Sequence, residues 1–176
     1  MNKIIKEWLP YLIIIIVVVL IRSYIVTPVI VRGDSMDSTL EDGQVLFLSK
    51  ISYRIHDIER FDIIVIKDKD DDLIIKRVIG LPGDNVKYED GILYINNEEV
   101  EDKYGIGDTD DFDLEEICEI NNDKCVSKIP ENKYLALGDN REVSADSRVK
   151  GLFDRKQILG KATLRVWPLT KIRIVK

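Results

Sequence analysis

Histidine is nearly absent from this chain, and several chemistries go with it. His56 is the only one among 176 residues and lies in the polar stretch Ser52-Tyr53-Arg54-Ile55-His56-Asp57, so a serine–histidine–aspartate hydrolase would have to be built on it. Cysteine is almost as scarce. Cys118 and Cys125 are the whole thiol inventory, and with one imidazole they assemble no zinc site of ordinary spacing. A surplus of positive charge is missing too. Lysine and arginine number 26 against 32 aspartates and glutamates, a net charge of −6, which sets aside nucleic-acid binders with their phosphate-neutralising faces. There is no internal repeat or low-complexity linker, and helical periodicity is scarce beyond the N-terminal segment. What is present is 45% hydrophobic and 33% charged, enough apolar surface for one packed domain and too much for a disordered chain.

The apolar residues are concentrated at the start. Trp8 to Ile21 is a nearly unbroken apolar run that resumes at Tyr24-Ile25-Val26 after Arg22 and Ser23. Residues 8–26 would make a helix about 28 Å long, close to the hydrocarbon thickness of a bilayer. Trp8 and Tyr24 mark its two interfaces, and Arg22 can snorkel to headgroups. Small residues of the Ala-x-Ala kind are missing after the run, which favours a retained anchor over a cleaved leader. The expected organisation is a tail over 1–7, a transmembrane anchor over 8–26 and a globular domain over 27–176. Lys3 and Lys6 oppose Arg22 and Arg32, so charge alone leaves the orientation a near tie.

Past Thr27-Pro28, expected to end the helix, the signals are those of strands. They fall at Gln44–Leu48, Phe61–Ile66, Leu73–Ile79, Lys133–Leu137 and Ile158–Trp167, with an edge strand over Lys171–Lys176. Leu81-Pro82-Gly83-Asp84 suits a type II turn, and Asp90-Gly91 joins Val86–Glu89 to Ile92–Ile95 as a tight hairpin. The charge cluster Lys67–Asp72 reads as a solvated hairpin tip. Residues 85–132 form an inserted hairpin and acidic surface segment with a short helix at Asp113–Ile120. Cys118 and Cys125 could close a small loop there if the domain is outside the cell. The soluble part is therefore mostly β.

Ser35 sits in Gly33-Asp34-Ser35-Met36-Asp37-Ser38-Thr39-Leu40, just where the apolar segment gives way to the domain. A serine hydroxyl is a poor nucleophile until a base takes its proton; without a plausible histidine the candidates are carboxylates and lysines, among which Lys76 stands out by its position. Strand alternation places Ile74, Lys76 and Val78 on one face, where a lysine can be buried, while Arg77 points the other way and is expected in water. At its ordinary pKa of ~10.4 a lysine is neutral only about once in 2,500 molecules at pH 7, so burial has to bring that value down. A polar cluster, Gly138 to Arg148, follows a strand. Ser144 there could accept from Lys76 and hold its amine toward Ser35, with Asp146 and Arg148 pairing to fix the loop.

Four segments then carry a family likeness, in the family's order: Ser35-Met36-Asp37-Ser38-Thr39-Leu40, Arg60-Phe61-Asp62-Ile63-Ile64-Val65, Lys76 through Asp84, and Gly138 to Arg148. Together with the anchor they resemble a type I signal peptidase, a membrane-bound serine–lysine endopeptidase, in its compact Gram-positive form. The resemblance implies a β-rich catalytic domain like that shared with repressor-type proteases. In it Ser35 is the nucleophile, Lys76 the general base, Ser144 orients the lysine, Asp146 and Arg148 support the site, and Met36 contacts substrate. It further implies a cytoplasmic N-terminus, an extracellular catalytic domain, and cleavage of secretory signal peptides after small residues without metal or cofactor. Two positions depart from the pattern: Ser38 stands where proline is usual, and Gly33 where some members carry an oxyanion-binding serine. The oxyanion would then rest on backbone N–H groups, that of Ser35 included. The alternative reading is a catalytically inactive, membrane-tethered β module that binds exported proteins.

Overall fold

The computed structural model describes every residue except 1, 2, 25, 122, 124–126 and 176, and within the first helix the side chains of 7–19 only. That helix, α1, spans Lys3–Tyr24 and so ends earlier than expected. Val26 belongs to β1, Val26–Ile30. Valine, threonine and isoleucine favour extended backbone, and Pro28, which lacks a donor, is tolerated because β1 is an edge strand. The described side chains of α1 lie exposed, Trp8 at 67% and Val19 at 55%. Among the described residues no helix is long and apolar enough to cross a membrane.

The remaining order is β2 (Val45–Ser49), α2 (Ser52–Ile55), β3 (Ile63–Lys67), β4 (Leu73–Gly80), β5 (Val86–Glu89), β6 (Ile92–Ile95) and β7 (Glu98–Val100). There follow β8 (Phe112–Asp113), α3 (Leu114–Ile120), β9 (Lys133–Leu137), α4 (Ser147–Lys150), β10 (Phe153–Asp154), β11 (Ile158–Trp167) and β12 (Arg173–Ile174). The larger sheet is antiparallel in the order β1-β2-β11-β3-β4-β9-β10, with β12 also paired to β11. A second sheet, β7-β6-β5-β8, comes from the inserted segment. Asp90 and Gly91 both have positive φ, 51° and 76°, as a two-residue hairpin requires.

Three local expectations need correction. Asp68 in the supposed solvated tip is only 7% exposed. It accepts from the N–H groups of Asp70 and Asp72 and takes an ion pair from Lys150 at 2.8 Å, which ties the β3–β4 hairpin to α4. Asp113 lies outside the short helix as its N-cap, in a capping box with Glu116. Of the C-terminal run, Arg173 and Ile174 pair with β11 as a strand, with the Val175 N–H donating to the Thr163 carbonyl beyond them, because Leu169–Lys171 winds into a 3-10 turn first. Cys118 is buried and disulfide-bonded; Cys125, the other cysteine, lies outside the described residues.

Three apolar clusters hold the sheets. Ile63, Val65 and Ile75 pack with Met36, Leu40, Leu46 and Leu48, while the alternate residues Ile64, Ile66 and Val78 pack with Ala136 and Phe153. The third cluster joins Ile79 and Leu135 of the larger sheet to Tyr88, Leu93 and Phe112 of the smaller.

The chain after β7 covers the β4 face on which Arg77 lies, and this overturns the expectation of a solvated arginine. Arg77 is fully buried. Its guanidinium donates to both carboxylate oxygens of Asp139, at 2.8 and 2.7 Å, and to the Phe61 carbonyl at 2.8 Å. The Tyr104 ring closes over it, 3.7 Å away. Ile106 and Asn140 form a parallel bridge alongside, and Arg141 pairs with Asp102. The Arg141–Asp102 pair thus clamps the insertion onto the segment that follows β9, and the Arg77–Asp139 pair ties that same segment to β4.

Removing one member of a buried pair strands the other charge. Asp139→Ala is expected to lose about 3–5 kcal/mol in urea unfolding of the full chain in detergent, whereas Arg77→Leu/Asp139→Leu loses clearly less. Equal losses in the two would show that the charges are not mutually compensating.

Candidate active site

Ser35 lies in the loop between β1 and β2. Gly33 makes the bend at φ 77°, and its N–H donates to Asp42 Oδ1 at 2.8 Å. Backbone bonds from Asp37 to Asp34 and from Leu40 to Met36 wind the loop into turns. These drop Met36 and Leu40 into the core at 1% and 0% exposure. Met36, expected to contact substrate, is therefore a core side chain that anchors the loop. The Asp37–Ser38 peptide is cis.

Lys76 reaches this loop from β4. Its Nζ donates to Ser35 Oγ at 2.7 Å, and the residue is 3% exposed. Ile64 stands opposite it on β3, and Ile74 and Val78 on its own face pack into the same cluster. Burial pushes the amine down from 10.5 to about 8. The Asp146 carboxylate pulls the other way, Lys150 and Arg148 add to the depression, and Asp139 opposes it. Desolvation wins because the carboxylates spend their hydrogen bonds on other partners.

The segment after β9 closes the site from the far side. The Asn140 N–H donates to the Ser35 carbonyl at 3.1 Å. A Cβ on Gly138 would come within 3.0 Å of both that carbonyl oxygen and Ser144 Oγ, so this close approach needs glycine. Asp146 is fully buried. It accepts from the Gly138 N–H at 3.0 Å, caps α4 through the Arg148 N–H, and holds the Arg148 guanidinium at 3.0 Å. Arg148 in turn donates to the Arg141 carbonyl at 2.7 Å. Ser144 is brought to the site but not as expected. Its Oγ is buried without a hydrogen-bond partner, since the Lys76 amine is directed to Ser35 and Ser144 faces Gly138 instead. His56 is exposed at the end of α2.

Residues 5–167 match the family model described as signal peptidase, peptidase S26. Signal peptidase IB of Staphylococcus aureus (strain COL) is 37% identical over 183 aligned residues, covering 98% of this chain and 95% of the relative. Signal peptidase I of Bacillus caldolyticus is 38% identical over 172 residues, covering 93% and 91%. The chain belongs to the peptidase S26 signal peptidase family. The crystal structure of a signal peptidase I from Enterococcus faecalis V583 aligns with it at TM-score 0.54 and 34% identity, covering 61% of this chain and 98% of that one.

In this S26 family member the residues that reading the sequence missed are Arg77, Asp139, Asp102, Tyr104 and Arg141, which brace the site. A signal for the first was present. Arg77 lies between Ile75 and Ile79 on its own face, the same flanking that singled out Lys76. Among the described residues no group of histidine, cysteine, aspartate and glutamate side chains could hold a metal ion.

A buried lysine with a lowered pKa is a stability cost. The folded state binds its proton less tightly than the unfolded state, so the penalty is complete below about 8 and relieved as pH rises toward 10.5. Lys76→Met is expected to be more stable at pH 7, by on the order of 2–3 kcal/mol. Its advantage should shrink between pH 8 and 10.5; a constant difference across that range would place the amine in water.

Proposed function

We propose that this chain is a membrane-anchored serine endopeptidase that removes signal peptides from secretory precursors, with Ser35 as nucleophile and Lys76 as general base. The observation that carries it is the 2.7 Å contact between a desolvated amine and the Ser35 hydroxyl. Neutral Lys76 takes the Oγ proton as Ser35 attacks the scissile carbonyl, and the Lys76 ammonium returns that proton to the leaving amine as the tetrahedral intermediate collapses to an acyl-enzyme and a free mature N-terminus. Lys76 then takes a proton from the water that releases the leader. Gly33 offers no side chain to the oxyanion, which leaves the Ser35 N–H as its donor. Asp146 and Arg148 act one step back by fixing the Gly138 turn against the nucleophile. Ser144 packs beside Gly138, and its hydroxyl makes no hydrogen bond to the lysine.

Membrane attachment fits the same reading. α1 runs 22 residues, about 33 Å at the helical rise, with an uncovered apolar surface from Trp8 to Val19. β1 follows at once, so the serine loop would stay near the lipid–water boundary and share the plane in which an apolar leader sits. The disulfide at Cys118 suits an oxidising compartment, and hence a catalytic domain outside the cytoplasm with residues 1–7 inside. The names of the relatives point to signal peptides as substrates. An inactive, binding-only module has nothing in its favour: a tether for exported proteins gains nothing from burying an amine against a serine.

Ser35→Ala and Lys76→Ala are each expected to cut cleavage of a precursor peptide by at least about a thousandfold in detergent; near-normal rates in either would remove the assignment. For the wild type, kcat/KM should climb with pH through an apparent pKa near 8 and fall about tenfold per unit below it, because only the neutral amine accepts the proton. A profile flat from pH 6 to 9 would exclude Lys76 as the base.

A further inference from the structure

Gly138 stands where the segment after β9 meets the nucleophile, and it has no side chain by which to be held. A Cβ there would collide with Ser144 Oγ and the Ser35 carbonyl, so the close approach leaves room for glycine alone. Glycine is also the residue whose backbone moves most freely. Here both of its backbone polar groups are gripped by buried side chains. The N–H donates to Asp146 Oδ2 at 3.0 Å, and the carbonyl accepts from Arg141 Nε at 2.8 Å. The Arg77–Asp139 pair fixes the next side chain, but the peptide between Gly138 and Asp139 can still turn unless its carbonyl is held. Arg141 is what holds it.

An arginine side chain has many rotamers, and the group that selects this one comes from the inserted segment. Asp102 lies just past β7. Its Oδ2 accepts from Arg141 Nη1 and from the Tyr88 hydroxyl, the latter at 2.8 Å. Its Oδ1 accepts from the N–H groups of Gly105 and Tyr104, at 3.2 and 3.4 Å. The carboxylate is therefore fixed both by the turn it closes and by β5. Gly105 lets the turn lie close, since a Cβ on it would come 2.6 Å from the Arg141 guanidinium carbon. The Arg141 N–H donates to the Ile106 carbonyl at 3.0 Å, and the Ile106 N–H to the Asp139 carbonyl at 2.8 Å. Residues 102–106 form a strap over Arg141. Burial alone would raise the Asp102 carboxyl, but the Arg141 hydrogen bond and charge outweigh it and hold the group below its usual range. It stays ionised at neutral pH.

We propose that Asp102 is a positioning residue for the peptidase reaction: through Arg141 it sets the Gly138 carbonyl, and so the wall that keeps the Lys76 amine enclosed against Ser35. The inference rests on the Ser35–Lys76 reading above and adds to it a residue that touches neither reacting group. The wall matters because Asp146, Lys150, Arg148 and Asp139, whose charges bear on Lys76, all lie in the segment that Gly138 begins. The same segment donates the Asn140 N–H to the Ser35 carbonyl at 3.1 Å. Without the Asp102 carboxylate, Arg141 is free to swing, the Gly138 carbonyl loses its donor, and water gains access to the amine. Hydration favours the ammonium, so fewer molecules carry a free base at neutral pH.

The test follows cleavage of a precursor peptide by the full chain in detergent from pH 6 to 10, with rates divided by the folded fraction from near-UV circular dichroism. Asp102→Asn removes the charge that holds Arg141 and keeps the size of the side chain. It is expected to lower kcat at pH 7 by about tenfold or more, with KM within about twofold. The apparent pKa of kcat/KM should rise from about 8. A residue that only stabilised the fold would change the folded fraction and leave that pKa where it was. In an Arg141→Gln background the same substitution should cost less than about twofold, because the route through Arg141 is already cut. Lys103→Ala, in the same strap but exposed and paired with Glu101, should match the wild type. If Asp102→Asn does not fold, Tyr88→Phe decides, since it takes one fixed donor from Asp102 and unpairs no charge. There a kcat loss of about threefold is expected, with the same upward pKa shift. An apparent pKa that stays near 8 in the folded variant, or an equal loss in the Arg141→Gln background, overturns the positioning role and leaves the protease assignment intact. A wild type that cuts no precursor peptide overturns both.

Discussion

The Arg77–Asp139 pair is the contact on which the site's geometry depends. It joins the middle of β4 to the first turn after β9, with both groups at 0% exposure. Such a pair is a weak source of net stability, because desolvating two ions offsets most of their attraction. Its value is positional. A bidentate guanidinium–carboxylate contact tolerates little rotation, so Asp139 fixes Gly138 and Asn140 relative to β4. Those two residues are the ones that close against the serine loop.

β4 presents its two cations in opposite ways. Lys76 and Arg77 are neighbours in sequence and project from opposite faces, and both are buried. Arg77 receives a full set of partners and stays charged, as its delocalised, always-protonated group requires. Lys76 receives one hydroxyl and an aliphatic surround, and its proton is held less tightly as a result. The fold thus puts arginine where the charge is fully paired and lysine where burial lowers its proton affinity. The stability forgone at Lys76 is recovered in the apolar clusters on either side.

Much of this architecture was legible beforehand, and the reasons differ by element. β5, β6, β9 and β11 fall where alternation and turn residues put them, because each is bounded by a local stop such as Asp90-Gly91. β1 was hidden because Thr27-Pro28, which lies within it, reads as a helix stop, and whether this extended stretch forms a strand depends on its partner β2 across the serine loop. Arg77 was misplaced because alternation tells which face a residue takes but not what covers that face. Its cover, Tyr104, comes from a stretch with no periodicity of its own. Ser144 was brought to the site, but its hydroxyl orientation depends on the Gly138 turn, which no spacing rule reports. The resemblance implied a substrate contact for Met36, and the winding of the loop turns that side chain into the core.

What the sequence by itself determined is the chemistry available. With one histidine and a serine at the start of the domain, the candidate bases were carboxylates and lysines, and strand alternation put Lys76 on an aliphatic face. That much follows from local pattern, because side-chain direction along a strand has a period of two. What only the tertiary structure decided is whether the amine meets the hydroxyl and how far its proton affinity falls. Both depend on groups brought together from β1–β2, β4 and the segment after β9, and desolvation is a property of the enclosure they form rather than of any one stretch of chain.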